Sequence, residues 1–234
     1  MFRISITYSA RLGGPFNWEY YISNHLPLAV GTSMRHSGLN FCDADKALNE
    51  DSPYVCVCMV HFDSEDSMIN FCNFFVKEHP ESERIDNDEK NYTTIPPNMV
   101  AAECENFDLI EQAEPAAYRI KLFFPYTETS EFWREKVTAE IKQLLEEQCA
   151  LEAGVVSTEL DFCTSGIVPG SEPDNSFIWA ICFNGREEAE KFKARLQTVE
   201  SQGHLKDLML GQPDIMISEI MHFDMALTEP HRNV

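Results

Sequence analysis

No stretch of the 234 residues approaches the ~18 consecutive apolar positions that a membrane-spanning helix needs. Several chemical signatures are missing as well: there is no G-x-G-x-x-G, no phosphate-binding P-loop, no G-x-S-x-G elbow and no H-E-x-x-H. Basic residues are scarce, 18 Lys and Arg against 39 Asp and Glu, for a formal net charge of −21. So acidic a surface repels phosphate backbones and anionic lipid, which predicts neither a nucleic-acid partner nor membrane docking. The eight cysteines form no C-x-x-C pair and no dense disulfide framework. Most sit in apolar stretches, where a free thiol acts as a small buried hydrophobe. The chain opens on a strand pattern, MFRISITYSA, rather than on a basic region followed by an apolar signal core. Together these features predict a reducing, cytoplasmic location.

What is present is a core. Hydrophobic residues make up 44% of the chain and aromatics 11%, enough to exclude a wholly disordered polypeptide. Phe2, Ile4, Ile6 and Tyr8 alternate with Arg3, Ser5, Thr7 and Ser9, the pattern of a half-buried strand. Gly13-Gly14-Pro15 makes a turn, and Asn17 caps a helix that starts at Trp18, runs to about His36 and is interrupted near Pro27. Strands over 39–47 and 54–62, an acid-led helix after Asp63, a polar stretch over 80–97 and a strand over 98–105 complete a βαββαβ unit. After an acidic, irregular segment the order repeats: a strand from Tyr118, a helix over 130–150, strands over 155–164 and 177–183 divided by a turn at 169–173, a helix over 186–196 and a strand over 214–224.

The two runs also match in detail. Phe2 and Tyr118, Asn98-Met99-Val100 and Asp214-Ile215-Met216, and Phe107-Asp108 and Phe223-Asp224 are all displaced by 116 residues. Phe62 and Phe71 match Phe183 and Phe192 at 121. The reading is α+β: two ferredoxin-like units at residues 1–108 and 117–228, joined by a linker at 109–116. Arg3 with Glu103, and Arg119 with Glu219, fall on neighbouring first and last strands of each unit. Each pair is either a cross-strand ion pair lining an interior cavity or a charged pocket wall for a polar ligand. Cys56 and Cys58 share a strand face with His61 opposite, a poor arrangement for a metal. His36, His61 and His79 have no ligand-spaced companions, and His222 and His231 read as surface residues.

The stretch richest in chemistry is Trp18 to Leu28. Tyr21 and His25, four apart, share a helix face. A histidine beside a helix irregularity is either a satisfied structural residue or an acid/base group facing a cleft. Here the chain resembles the EthD family of the dimeric α+β barrel superfamily. The resemblance lies in Gly13-Gly14-Pro15-Phe16 followed by Tyr20-Tyr21 and His25-Leu26-Pro27-Leu28, in Pro53-Tyr54-Val55, and in Asn91-Tyr92-Thr93-Thr94-Ile95-Pro96-Pro97. It covers roughly residues 1–108, and the second unit carries no H-x-P-L. It implies that the two units pack as an intramolecular barrel, a pseudo-dimer that leaves further homodimerisation open. It also implies cofactor-free chemistry, without metal, on a small phenolic or polyketide-like molecule. In that picture His25 is the acid/base, Tyr21 and Tyr92 orient or hydrogen-bond the substrate, and Arg3, Glu103 and Trp18 line the ligand site. The alternatives are a non-catalytic ligand-binding or accessory protein and a cofactor-independent monooxygenase.

Overall fold

The computed structural model describes residues 1–76, 79–111, 115–125, 133–148, 150–166, 175–197 and 213–224. Cys149, the helix start expected at 130–132, the turn expected at 169–173 and His231 lie outside these residues. The first unit runs β1 (Phe2–Ser9), α1 (Trp18–Tyr20), a π turn (Tyr21–His25), α2 (Leu26–Ser37), β2 (Phe41–Ala47), β3 (Tyr54–Phe62), α3 (Glu65–Val76), α4 (Pro80–Glu89) and β4 (Pro97–Asp108). The second runs β5 (Tyr118–Pro125), α5 (Trp133–Glu147), β6 (Val155–Gly166), β7 (Asn175–Phe183), α6 (Arg186–Leu196) and β8 (Asp214–Asp224).

The eight strands close into one antiparallel barrel in the order β1-β3-β2-β8-β5-β7-β6-β4. Each unit contributes four consecutive strands in the same internal order. The edge strand β2 pairs with β8, and β4 pairs with β6, so each unit covers the other's open edges. The fold is therefore α+β, two ferredoxin-like units forming an intramolecular α+β barrel. Helices pack on its outer surface. Tyr21, Leu26, Val30, Met68 and Phe71 close over the outward residues of the first unit, and Val137, Ile141, Leu144, Ala189 and Phe192 do so in the second.

Barrel closure changes the reading of β1. Its outward face meets the helices, and its polar face lines the barrel interior instead of meeting water. Arg3, Ser5 and Thr7 are all buried, so the strand is covered on both sides. At one end the interior is apolar, packed with Val57, Met59, Phe123, Ile178 and Met216. Towards the other end it is ionic. Arg3 reaches Asp161 at 2.7 and 2.9 Å and Glu159 at 2.9 Å. Arg119 reaches Asp45 at 3.0 Å, Asp43 at 3.1 Å and Glu159 at 3.2 Å. Lys121 contacts Asp45.

The expected Arg/Glu pairs are therefore wrong in partner. Arg3 lies opposite Ala102 while Glu103 lies opposite Phe2, so the two side chains leave opposite faces of the sheet. Likewise Arg119 lies opposite Ser218, and Glu219 opposite Tyr118. Glu103 pairs outside the barrel with Arg134, and Glu219 is exposed. The true partners come from the other unit and keep the duplication's own spacing. Asp43 and Glu159, Asp45 and Asp161, and Arg3 and Arg119 are each displaced by 116 residues. Each unit's first-strand arginine is held mainly by the acids on the other unit's second strand.

Candidate active site

The first-unit site is assembled where two sequence motifs meet. Gly14 has φ +124°, and a Cβ there would stand 2.8 Å from Thr94 Oγ1, so the Gly13-Gly14-Pro15-Phe16 turn needs glycine to lie against the 93–95 segment. Thr93 Oγ1 donates to the Pro15 carbonyl at 2.9 Å and Asn17 N–H to the Tyr92 carbonyl at 2.8 Å, locking Tyr92 beside the helix start. Asn17 accepts from Tyr20 N–H at 3.1 Å, the expected cap.

The interruption expected near Pro27 is the π turn. Leu26 N–H bonds to the Tyr21 carbonyl, five residues back, just before a residue that has no N–H to continue the ladder. The turn stacks His25 on Tyr21, ring centroids 5.4 Å apart and 17° from parallel. His25 Nδ1 lies 3.1 Å from Asp88 Oδ2, and Nε2 lies 3.3 Å from Tyr92 OH, which in turn lies 2.8 Å from Tyr8 OH. Asp88 is itself held through Oδ1, by Tyr20 OH at 2.8 Å and Asn91 Nδ2 at 2.9 Å. The result is one connected series, Asp88–His25–Tyr92–Tyr8.

Charge follows from burial. His25, 5% exposed, has its pKa lowered by desolvation, with Asp88 opposing. For Asp88, burial pushes up, but donors from Tyr20, Asn91 and His25 outweigh it and hold the carboxyl below its usual range. With Asp88 ionised, the favoured neutral imidazole carries its proton on Nδ1 and leaves Nε2 as the acceptor. Burial raises the pKa values of Tyr92, Tyr8 and Tyr21, so all three stay protonated donors. Glu89 is pushed up to about 7, first by burial and then by Asp86.

His25, Tyr8, Tyr21, Glu89 and Asp86 share a cleft of about 40 Å³ walled by Ile6, Leu26, Val60, Phe71 and Phe75. That space holds one or two waters or a few-atom group. His25, Tyr21 and Tyr92 thus come together as expected. Trp18 sits at the edge, its ring 5.7 Å from that of Tyr21 and faced by Lys46, outside the cleft. Arg3 and Glu103 belong to neither this site nor each other. Tyr8, Asp88 and Glu89 were missed; the first read only as a core position and the others as part of a polar stretch. The second unit has Phe124 where the first has Tyr8, displaced by 116 residues, and it packs on Phe177 within an apolar cluster.

Glu89 yields a stability prediction. Its folded pKa lies above the ordinary carboxylate value, so the folded state loses stability as pH rises from about 4.5 through about 7. Glu89→Gln is expected to raise stability at pH 8 by about 1–2 kcal/mol, discounted for partial exposure, and to change little at pH 4. Thermal unfolding at the two pH values measures it, and a Gln variant less stable at pH 8 refutes the assignment.

Among the described residues, His36, His79 and Glu81 are the group whose potential ligand atoms fall within 4.8 Å of one another. Folding brings together two histidines that lack companions in sequence. His36 Nε2 is engaged by Glu81 at 2.5 Å, and His79 Nδ1 accepts from the Glu81 N–H. The seven described cysteines are free.

No protein-family model matches the sequence, and no curated protein does. Solved structures do match in shape. An anthrone oxidase-like protein aligns over 94% of this chain and 91% of its own, at 9% identity and a TM-score of 0.60. A provisionally assigned monooxygenase from Fusobacterium nucleatum aligns over 96% and 94%, at 10% identity and 0.54. An EthD-like protein from Ralstonia eutropha spans 48% of this chain and 95% of its own, at 20% identity and 0.36. No described helix is long and apolar enough to cross a membrane. The chain has the fold of the dimeric α+β barrel proteins, with both ferredoxin-like units in one polypeptide.

Proposed function

We propose that the first-unit cleft carries out cofactor-free acid/base chemistry on a small organic molecule with an acidic C–H or phenolic O–H, a phenol or a polyketide-like 1,3-dicarbonyl compound. The observation that carries this reading is the series Asp88–His25–Tyr92–Tyr8, with His25 and Tyr8 facing a cleft. Asp88 fixes the tautomer, His25 Nε2 takes the substrate proton, and the electron pair stays on the substrate as an enolate or phenolate. A protonated tyrosine hydroxyl can then donate to that oxyanion. The meeting of the glycine turn with the Asn91–Pro97 segment at this site supports reading the first unit as EthD-like. Second-unit residues replace the cleft by packing, which supports one such site per chain.

The test needs no prior substrate. In deuterated buffer without oxygen, the protein should accelerate replacement of the acidic C–H of 2,4-pentanedione by deuterium, followed by loss of its proton resonance. No acceleration over buffer across a panel of small 1,3-dicarbonyls would sink the proposal. Because the cleft is small, the competing reading is a non-catalytic binding protein, which predicts binding without exchange. A monooxygenase, the assignment given to one structural neighbour, would in addition consume dioxygen.

A further inference from the structure

A cavity of about 530 Å³ opens at the ionic end of the barrel, more than ten times the enclosed space beside His25 and within the range of small-molecule sites. Its wall includes Asp43, Glu159, His61, His222, Phe41 and Phe223. It lies inside the barrel, whereas the His25 cleft lies between sheet and helices, so nothing in the proposed acid/base site uses it.

Three groups on the wall, His61, Glu159 and Arg119 through its Nε, keep a buried polar atom without a hydrogen bond. His61 is 2% exposed; its Nε2 faces Asp43 Oδ2 at 3.5 Å, and its Nδ1 has no hydrogen-bond partner. Glu159 Oε2 is likewise buried without a hydrogen bond, although Arg3 stands 2.9 Å away. A buried histidine nitrogen left idle is costly in a packed interior but not beside a space that a polar guest fills.

The charge of the guest follows from the ion pairs. Four interior carboxylates, Asp43, Asp45, Glu159 and Asp161, face three cationic side chains, Arg3, Arg119 and Lys121. Asp108 adds another acid to the wall. Arg119 divides Nη1 and Nη2 between Asp43, Asp45 and Glu159, so its charge is already matched although its Nε has no hydrogen-bond partner. His222 donates from Nδ1 to Asp43 Oδ1 at 2.6 Å and from Nε2 to the Ala116 carbonyl at 2.9 Å, so it is committed as an imidazolium, its pKa raised first by the bond to Asp43. His222 is then a fourth cation and matches the four interior carboxylates, so it is Asp108 at the rim that leaves the wall one negative charge in excess, within a protein of net charge −21. An anion would meet more repulsion than attraction here.

We propose that this end of the barrel binds a small organic ammonium ion, its N–H groups donating to Glu159 Oε2, Asp43 and the idle His61 Nδ1, and its carbon body lying along Phe41. Phe41, stacked on His61 with ring centroids 4.0 Å apart, supplies an aromatic wall of the kind cations favour. The site is independent of the His25 reading, and either can fail alone.

Phenethylammonium, 2-phenylethanol and phenylacetate, matched in shape but cationic, neutral and anionic, are suitable probes. Binding is read from the ring C–H resonances of isotope-labelled histidine, with His61 assigned through His61→Gln. The expected result is saturable movement of the His61 resonance by phenethylammonium at millimolar concentration, with at least a tenfold weaker response to the other two. Glu159→Gln should weaken the ammonium about tenfold or more. Should that variant not fold, Asp108→Asn at the exposed rim is expected to weaken binding in the same direction. An equal response to all three probes overturns the proposal, as does movement of His25 instead of His61 or no movement at all.

Discussion

Replacing Arg3 with Met is expected to cost the folded chain about 3–5 kcal/mol, the scale for removing one partner of a buried ion pair. Arg3 has no exposed surface, and its Nη1 is shared between Asp161 and Glu159. Without it, two carboxylates remain inside the barrel with only Arg119 to oppose them. The loss is electrostatic and not volumetric, since Met fills most of the same space. Adding Asp161→Leu should therefore recover much of the deficit, and urea unfolding of the single and double variants at constant m-value measures both. A single-variant loss of only about 0–1 kcal/mol, the range of exposed pairs, would show that water reaches the interior and screens it. Acid supplies a second readout. Burial pushes Glu159 up, but Arg119 and Arg3 outweigh it and hold it at about 2. Its folded pKa lies below the unfolded one, so its contribution is complete above about pH 4.5 and is lost as pH falls towards 2, by about 3 kcal/mol. In Arg3→Met that acid-induced loss should shrink.

These interior charges also mark where sequence reasoning stops. Strand positions, the α6 helix and the repeat were legible because alternation and 3.6-residue periodicity are local, and the 116-residue offset recurs at both ends of the unit. Arg3 and Arg119 were singled out correctly as a matched pair of positions. Their partners were not, because pairing within a unit was assumed and the cross-strand register was displaced by one residue, which sends a side chain to the opposite face. The signal that could have found the lattice was present: Asp43 and Asp45 on β2, and Glu159 and Asp161 on β6, alternate with apolar residues at the same 116-residue offset as the arginines. His61 and His222, read as unconnected, meet Asp43 only because β2 lies between β3 and β8. In the cleft, His25, Tyr21 and Tyr92 were legible from their motifs. Asp88 and Glu89 were not, because nothing local to a polar helix says which of its acids turns inward.

If the first-unit cleft performs proton transfer, His25→Ala should lower the exchange rate by 10²–10⁴-fold, the usual contribution of a positioned general base. The side chain touches the reacting proton in this reading, so the loss should fall on the rate at saturation. Asp88→Asn separates catalysis from positioning. The carboxylate holds the proton on Nδ1, whereas an asparagine amide can donate to Nδ1 and leave the proton on Nε2, the atom that must be vacant. The variant keeps the histidine and nearly the same volume, yet is expected to lose much of the rate. Its pH profile should move as well. Burial already lowers the His25 pKa, and Asp88 opposes that shift. Removing the carboxylate lowers the pKa further and carries the acid limb of the rate profile to lower pH. Tyr92→Phe, which removes the hydroxyl 3.3 Å from Nε2, should instead leave the acid limb nearly in place and lower the rate more modestly. A merely structural Asp88 would reduce stability without moving the limb. An unmoved limb, or a folded His25→Ala protein exchanging at the wild-type rate, would leave this cleft a binding pocket and not a catalyst.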